Sequence, residues 1–250
     1  MSDQYLYAIL QREAVDTSIY SPLWQVQGTV TPSLQAWAGQ YLLGISASGS
    51  FAKGTANRSG TDIDLFVSVH QDVPATLAEI YETLFQRLSL DGYRPRKQNV
   101  SIGIKVNGFD VDVVPGKRQT AYTTDHSLYR NRAATWTKTN ITTHINTVIG
   151  AGRQAETRVL KLWRNQKGLD FPSFYLELAV IEALQGHRGT LSQNVAACLA
   201  YFRDNLARAR FVDPANGNNV ISDDLSAAAK TAIQTAAMTA LGGQWEELVR

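Results

Sequence analysis

The sequence has only one cysteine among its 250 residues, Cys198, and this scarcity excludes two classes of protein. A single thiol cannot form an internal disulfide framework, and it cannot supply the set of thiolates that a cysteine-based zinc site needs. The four histidines do not show metal-ligand spacing either. We therefore expect neither a disulfide-stabilised secreted domain nor a zinc-bound one.

Long apolar runs are also absent from the sequence. No stretch approaches the roughly 18–20 consecutive apolar residues that a membrane-spanning helix needs. Residues 1–16 carry acidic side chains where a secretory signal peptide would have a basic patch followed by a long apolar core. We therefore expect a cytoplasmic protein that has no membrane partner.

The composition is that of a globular protein, with 44% hydrophobic and 18% charged residues. Its length suits one large domain or two smaller lobes. Although the net charge is only +2, residues 94–167 hold 14 of the 24 basic residues and only 4 of the 22 acidic ones. Such an uneven distribution indicates a bound anion, or else a basic face that contacts only solvent.

The spacing of apolar residues divides the chain into a mixed first half and a helical second half. Because Asn107-Gly108 between two alternating runs is a strong hairpin signal, we expect strands over 100–106 and 109–114, the second ended by Pro115-Gly116. The other predicted strands cover 41–46 and 62–69, and the predicted helices cover 3–16, 22–40, 75–90, 140–149, 152–167, 172–186, 190–209 and 223–240. This pattern predicts two lobes with a ligand cleft between them.

The run from Gly49 to Asp64 combines small residues with two acids. Gly49 and Ser50 follow a predicted strand and open a short helix, where backbone N–H groups can bind a phosphate. Asp62 and Asp64 are two residues apart on a strand, so both carboxylates project from the same face. Two adjacent like charges are unfavourable unless a cation joins them, and oxygen ligands beside a phosphate favour Mg²⁺.

A third carboxylate is expected from the neighbouring strand over 109–114. Asp110 and Asp112 are again two residues apart and share a face, so strand alternation does not choose between them. An acid inside an otherwise apolar strand is unfavourable unless a cation or hydrogen bonds compensate its burial. At least one of these two carboxylates is therefore expected to be functional.

The segments GSFAKGTANRSGTDIDLFV at 49–67 and FDVDVVPG at 109–116 resemble the signature of the polymerase-β-like nucleotidyltransferases. Within that superfamily the chain is most similar to the branch of oligoadenylate synthetases, cyclic GMP-AMP synthase and the bacterial cyclic-oligonucleotide synthases (CD-NTases). In this branch the third Asp directly precedes a hydrophobic pair and often a proline, which favours Asp112 over Asp110. The resemblance implies that the catalytic and metal-binding residues are Asp62, Asp64 and Asp112.

Two later segments, RVLKLWRNQKG at 158–168 and PSFYLELAVIEAL at 172–184, resemble helices of the same branch. They imply that Lys161 contacts the donor triphosphate, with Arg158 one turn before it. They also imply that Ser173 contacts phosphate and that Phe174 stacks on the donor base. Together with Gly49 and Ser50, these residues complete the expected nucleotide-binding set.

The resemblance implies an α+β fold. It places a polymerase-β-like nucleotidyltransferase lobe, with a mixed sheet and helices, at 1–135, and an all-helical lobe at 136–250 that closes over the NTP. The N-terminal helix is expected to pack on the second lobe, and the active-site cleft to lie between the two lobes.

The same resemblance implies an enzyme that uses two Mg²⁺ or Mn²⁺ ions to transfer NMP from an NTP to a nucleotide hydroxyl. The expected product is a cyclic di- or trinucleotide for anti-phage defence, sensed by an effector from the same operon. An RNA 3′ end or another acceptor, and an inactive nucleotide-binding module, are the alternatives. Because the chain is compact and near-neutral overall, no stable nucleic-acid partner is expected.

Overall fold

A computed structural model describes residues 2–60 and 62–250, which divide into two compact units. We call residues 16–52 and 62–145 the sheet unit, and residues 2–15, 53–60 and 146–250 the helical unit. Each unit is thus built from more than one chain segment. Thr61, which is part of the first signature segment, lies outside the described residues. The expected lobe boundary at 135/136 stays a prediction.

The first half of the described chain alternates helices and strands. In order, the elements are α1 (Ser2–Arg12), α2 (Pro22–Ala38), β1 (Leu42–Ala47), α3 (Gly49–Lys53), β2 (Ile63–Val69), α4 (Leu77–Leu90), β3 (Arg96–Lys97), β4 (Ile102–Val106), β5 (Phe109–Arg118), β6 (His126–Arg130) and β7 (Thr135–Thr139). The second half is mostly helical. It contains α5 (Ile141–Ala151), α6 (Gln154–Gln166), α7 (Ser173–Ala183), α8 (Leu191–Asp204), β8 (Val212–Asp213), β9 (Asn216–Val220), α9 (Ala227–Leu241) and α10 (Trp245–Leu248).

The first seven strands of the described residues form one mixed sheet with the order β1-β2-β5-β4-β3, and β6 and β7 extend it beside β5. The pair β2–β5 is parallel, whereas the other neighbours are antiparallel. One face of this sheet is buried against α2 and α4, through side chains such as Leu65, Val113 and Leu84. The carboxylates of the signature segments alternate with these buried residues and therefore lie on the other face.

The helical unit has its own apolar core, in which Trp163, Tyr175 and Phe202 are fully buried. The N-terminal helix α1 is part of this unit, because Leu6 is buried in that core and Tyr5 Oη donates to the carbonyl of Val249 at 2.9 Å. The unit also contains the β8–β9 hairpin, so it is not all-helical as the sequence suggested. In the described residues, no helix combines the length and the apolar character needed to cross a membrane.

Strand β5 differs from the prediction, because it continues through Pro115 and Gly116 to Arg118. On one side, its pairing with β4 ends at Val113 and its pairing with β6 begins at Lys117. Pro115 falls in the gap between these two neighbours, where a residue without an N–H group is tolerated. The sequence therefore predicted the start of this strand correctly and its end wrongly.

Candidate active site

Gly49 brings the chain directly against Asp64. Its φ is +57°, in the left-handed region that glycine adopts without strain. A Cβ atom at this position would lie 1.7 Å from Oδ2 of Asp64, so any other side chain would displace the carboxylate. The N–H of Ser48 also donates to the carbonyl of Asp64 at 2.9 Å. Ser50, the next residue of the predicted phosphate site, follows in α3 and is half-buried.

The three predicted carboxylates lie at one end of the β2–β5 pair. Asp64 and Asp112 are opposite each other on these parallel strands, and both are half-buried. Asp62 directly precedes β2 and is exposed. The structure therefore brings together Gly49, Asp62, Asp64 and Asp112 within the sheet unit, although they are far apart in sequence.

Electrostatics couple these carboxylates. Burial raises the pKa of Asp112, and the negative charge of Asp62 raises it further. Although the side chain of Asp62 is exposed, neighbouring protein atoms reduce the hydration of its carboxylate, and this desolvation raises its pKa. The negative charge of Asp110 raises the pKa of Asp62 further. Hydrogen bonds to Asp112 from Gln98 Nε2 at 2.8 Å and Ser101 Oγ at 3.5 Å oppose the effect. These hydrogen bonds do not outweigh burial and the charge of Asp62, so the pKa of Asp112 stays raised.

The two acids of β5 have different surroundings. Asp110 forms ion pairs with Arg96 Nη2 at 3.2 Å and Lys105 Nζ at 3.0 Å, and its side chain is 42% exposed. Asp112, in contrast, accepts hydrogen bonds from the neutral side chains of Gln98 and Ser101, and the charge of Asp62 affects its pKa more than the charge of Arg96 does. This difference favours Asp112 as the third site carboxylate.

The donor chemistry of this site fits divalent cations such as Mg²⁺. Carboxylate oxygens are the ligands that such ions prefer, and a cation would relieve the repulsion that raises the pKa of Asp62 and Asp112. Within residues 2–60 and 62–250, the Asp, Glu, His and Cys side chains do not form a group of three or more that is already arranged to hold a metal ion. The site thus fits a divalent cation by the chemistry of its carboxylates and by their position at one end of the β2–β5 pair.

Lys161 belongs to a buried cluster of charged groups in the helical unit. Its Nζ donates to Thr55 Oγ1 and Glu177 Oε1, both at 3.0 Å. Lys53 Nζ donates to the other carboxylate oxygen of Glu177 at 2.6 Å, and Thr55 Oγ1 donates to Glu177 Oε1 at 2.7 Å. Burial lowers the pKa of Lys161, and the charge of Glu177 opposes that shift. One buried carboxylate therefore holds two ammonium groups.

Arg158 is fastened within the same unit. Its Nε donates to Asn57 Oδ1 at 3.1 Å, and its Nη2 donates to the carbonyls of Leu10 and Glu13, each at 2.9 Å. The guanidinium thus ties α6 to the end of α1 and to the segment at 53–60. A contact between Arg158 and nucleotide stays a prediction.

Ser173 and Phe174 begin helix α7. Ser173 Oγ accepts a hydrogen bond from Arg164 Nη1 at 3.1 Å. Phe174 is half-buried, and Lys53 Nζ lies 4.7 Å from the centre of its ring, within the range of a cation–π contact. The roles of both residues in nucleotide binding stay predictions.

Sequence reasoning missed the residues that support the site. Glu177 was detectable, because an acid inside the apolar run of α7 must find a partner when it is buried. Its partners Lys53 and Thr55 lie in the first signature segment, more than 120 residues away, and no local pattern connects them to it. Gln98 and Ser101, which bond to Asp112, lie in the loop before β4. The prediction instead placed Ser101 in the strand over 100–106, and neither residue gave a signal of its contact with Asp112.

Comparison with known proteins bears on the fold and the family. No family model matches the chain. A relative from Escherichia coli (strain MS 115-1), named cyclic AMP-AMP-AMP synthase, is 28% identical over 151 residues, which cover 55% of this chain. The match spans 47% of that relative, about half of its length.

Solved structures match over nearly the whole chain. The CD-NTase CdnG of Bradyrhizobium diazoefficiens, in complex with GTP, has a TM-score of 0.80 at 12% identity and covers 98% of this chain and 92% of its own. CdnC of E. coli MS115-1 with ATP has a TM-score of 0.77 at 21% identity, covering 97% and 91%. The chain has the CD-NTase fold.

The CD-NTase fold confirms the α+β class and the resemblance drawn from the signature segments. The Cid1 poly(U) polymerase with Mg 3′-dATP bound shares the fold less closely, with a TM-score of 0.66 at 12% identity, covering 96% of this chain and 93% of its own.

Proposed function

We propose that this chain is a metal-dependent nucleotidyltransferase that transfers a nucleoside monophosphate from an NTP to the hydroxyl of another nucleotide. The observation that carries this proposal is the group of carboxylates formed by Asp62, Asp64 and Asp112 beside Gly49 on one face of the sheet. The CD-NTase fold and the similarity to a cyclic AMP-AMP-AMP synthase support it.

Asp62, Asp64 and Asp112 would hold two Mg²⁺ or Mn²⁺ ions. Ions bound there would neutralise charge on the transferred phosphate and lower the pKa of the acceptor hydroxyl. In the transfer, the hydroxyl loses its proton to solvent water, and its oxygen bonds to the α-phosphorus. The bond from the α-phosphorus to the bridging oxygen then breaks, and pyrophosphate leaves. No side chain needs to form a covalent intermediate, because positioning and charge neutralisation suffice.

The resemblance to the CD-NTase branch suggests nucleotide-binding residues in each of the two units. In the sheet unit, Gly49 and Ser50 would bind the β- and γ-phosphates of the donor. In the helical unit, Lys161 and Ser173 would bind phosphate and Phe174 would stack on the base, which any planar ring can do. Arg158 would act in the same unit by supporting α6, consistent with its contacts to backbone carbonyls.

The proposed product is a cyclic di- or trinucleotide that signals in anti-phage defence within the cytoplasm and is detected by a separate effector. The similarity to the cyclic AMP-AMP-AMP synthase supports a cyclic product over a linear polymer. The better match to CD-NTase structures than to a poly(U) polymerase supports the same choice.

One assay tests both the reaction and its product. The purified protein is incubated with Mg²⁺ or Mn²⁺ and labelled NTPs, singly and mixed, and the products are treated with phosphatase and analysed by mass spectrometry. A phosphatase-resistant product with the mass of a cyclic oligonucleotide is expected. Pyrophosphate release with a linear product would show that the protein is a nucleotidyltransferase but does not form a cyclic product. Absence of pyrophosphate with every NTP contradicts the proposed activity.

The double variant Asp62→Asn, Asp64→Asn tests the carboxylates. It removes two negative charges that would hold the cations, so we expect pyrophosphate release to fall to background. The fold should persist, because Asp62 is exposed and Asp64 lies on the face away from the core, and circular dichroism provides the check. Turnover like that of the wild type would show that the metal site lies elsewhere.

A further inference from the structure

Strand pairing places acids and bases in two parallel rows on one face of the sheet. Residues directly opposite each other on neighbouring strands point to the same side. In the first row, Asp64 is opposite Asp112, Asp112 is opposite Gly103, and Gly103 is opposite Arg96.

The second row lies beside the first and is shifted by two residues along each strand, toward the start of β2. Asp110 is opposite Lys105. Because Ile63 is opposite Val111, Asp62 comes next to Asp110 on the β2 side of the row. Arg94 precedes Arg96 by two residues and lies outside the paired part of β3. The acids of the two rows thus lie on β2, directly before β2 or on β5, and the bases lie on β4, on β3 or shortly before β3.

The basic half of this face is exposed. Asp110 is shared by Arg96 and Lys105, whose side chains are 65% and 68% exposed. Ion pairs in such contact with water are weak, so Asp110 orients these cations without neutralising them. Arg94 is also exposed, and it lines with Arg96 and Lys105 a cavity of about 430 Å³. The cavity therefore presents three cations to a ligand.

Gly103 lies between the acidic and the basic half of this face. A Cβ atom there would lie 2.8 Å from Gln98 Nε2 and 3.3 Å from Asp112 Oδ1. The missing side chain makes room for the Gln98 amide, which donates to Asp112 Oδ1 at 2.8 Å and lies over Gly103 between Asp112 and Arg96. A ligand that reaches from the carboxylates to the cations would therefore pass over the Gln98 amide.

The spacing of the two halves matches a nucleotide. Neighbouring strands are about 4.8 Å apart, so the backbones of β4 and β3 lie about 10 to 14 Å from that of β2. An acceptor nucleotide whose 3′ hydroxyl lies at the carboxylates would reach a similar distance with its 5′ phosphates. Guanidinium and ammonium groups bind phosphate oxygens through charge-assisted hydrogen bonds.

We propose that Arg94, Arg96 and Lys105 bind the 5′ phosphates of the acceptor nucleotide, and that Asp110 is a positioning residue for Arg96 and Lys105. This inference rests on the proposed nucleotidyltransferase function and specifies the acceptor as a 5′-phosphorylated nucleotide. A nucleoside, or an acceptor without phosphate, lacks the group that this half of the sheet binds.

The kinetic test uses an acceptor that cannot act as a donor. An α,β-methylene NTP of the base that the wild type accepts serves as acceptor, beside the unphosphorylated nucleoside of the same base. For the double variant Arg94→Gln, Lys105→Gln, we expect the KM for the triphosphate acceptor to rise about tenfold or more, as for lost charged hydrogen bonds. The kcat at saturation and the KM for the nucleoside should stay unchanged.

Lys97→Gln is the matched control. It removes one positive charge from β3, next to Arg96, but Lys97 lies on the opposite side of the sheet, where its Nζ lies 2.6 Å from Glu82 Oε2 and 4.9 Å from the centre of the Phe85 ring. We expect wild-type kinetics with both acceptors. Asp110→Asn should raise the KM for the triphosphate a few-fold without changing kcat, and Asp110→Glu should restore it. An unchanged KM in the double variant, or an equal rise for the nucleoside, would overturn the proposal.

A binding experiment decides the question without turnover. Inorganic triphosphate is titrated calorimetrically into the wild type, the double variant and Lys97→Gln in the presence of EDTA. The double variant is expected to lose a binding event that the other two proteins retain, whereas identical isotherms would contradict the site. If the wild type releases no pyrophosphate with any NTP, the proposed function fails, and this titration still tests the anion site by itself.

Discussion

Asp110 and Asp112 lie two residues apart on the same face of β5, and their partners determine what each can do. Asp110 contacts two exposed cations, whereas Asp112 accepts hydrogen bonds from neutral groups and interacts with the charge of Asp62. A carboxylate already paired with Arg96 and Lys105 attracts a divalent cation less strongly than one that faces another carboxylate. The contacts of Asp110 and Asp112 thus favour Asp112 as the metal-binding residue, a choice that strand alternation alone left open.

Substitution of these two acids should give different kinetic defects. Asp112→Asn removes the charge expected to bind the cation, so turnover should fall by several orders of magnitude. Asp110→Asn removes only the residue that orients Arg96 and Lys105, so kcat should persist. Steady-state kinetics with Mg²⁺ distinguishes the two outcomes. The reverse order of severity would mean that Asp110 is the third metal ligand.

At the scale of elements, the connection from β1 through α3 depends on one glycine. Gly49 has a positive φ, and the position of its missing Cβ coincides with the carboxylate of Asp64. The sequence marked this residue as part of a phosphate-binding turn. In the structure it has a second role, since it lets the backbone pass against a carboxylate on the neighbouring strand.

Gly49→Ala should therefore impair catalysis more than stability. The new methyl group would have to displace the Asp64 carboxylate, and the positive φ adds strain to any residue with a Cβ atom. We expect turnover to fall at least tenfold, with a loss of about 1 kcal/mol in the free energy of unfolding. Gly108→Ala is the control, because Gly108 has a φ of +86° but no atom within 4 Å of the place where the new methyl group would lie. Equal activity losses in both variants would attribute the effect to backbone strain alone.

Local chemistry explains which elements the sequence could predict. Asn107-Gly108 predicted the β4–β5 hairpin, and both residues have the positive φ that a tight turn requires. The strands β6 and β7 were missed, because they are short, rich in polar residues and partly exposed. Pro115 misled the prediction of the end of β5, since only the arrangement of its neighbouring strands makes a proline acceptable there. Contacts between distant segments, such as Asp112 with Gln98, had no local signal.

At the scale of the whole molecule, each unit collects segments that are distant in sequence around its own core. In the sequence, residues 53–60 lie between Gly49 and the acids Asp62 and Asp64, which all belong to the sheet unit. Residues 53–60 nevertheless belong to the helical unit, where Lys53 and Thr55 donate hydrogen bonds to Glu177. Glu177 is fully buried. The stability of the helical unit therefore depends on a single carboxylate that compensates two buried ammonium groups.

This dependence predicts how stability changes with pH. Burial by itself would raise the pKa of Glu177, but the charges of Lys161 and Lys53 and the hydrogen bonds from Lys53 and Thr55 outweigh it and lower the pKa. Because the unfolded chain then binds a proton at higher pH than the folded one, the contribution of Glu177 is complete above its unfolded pKa and is lost as the pH falls through the folded value. The raised pKa values of Asp62 and Asp112 have the opposite sign, so a comparison of variants must isolate Glu177.

Glu177→Gln isolates this contribution. At pH 7 it leaves two buried cations without a counter-charge, and the free energy of unfolding should fall by about 3–5 kcal/mol. Near pH 3 the wild type loses part of the same contribution, so the difference between the two proteins should narrow. Urea unfolding at both pH values measures it. Glu182→Gln, at an exposed position of the same helix, should match the wild type throughout. A difference that stays constant with pH would show that Glu177 acts through packing and neutral hydrogen bonds, because a charge interaction must weaken as the carboxylate is protonated.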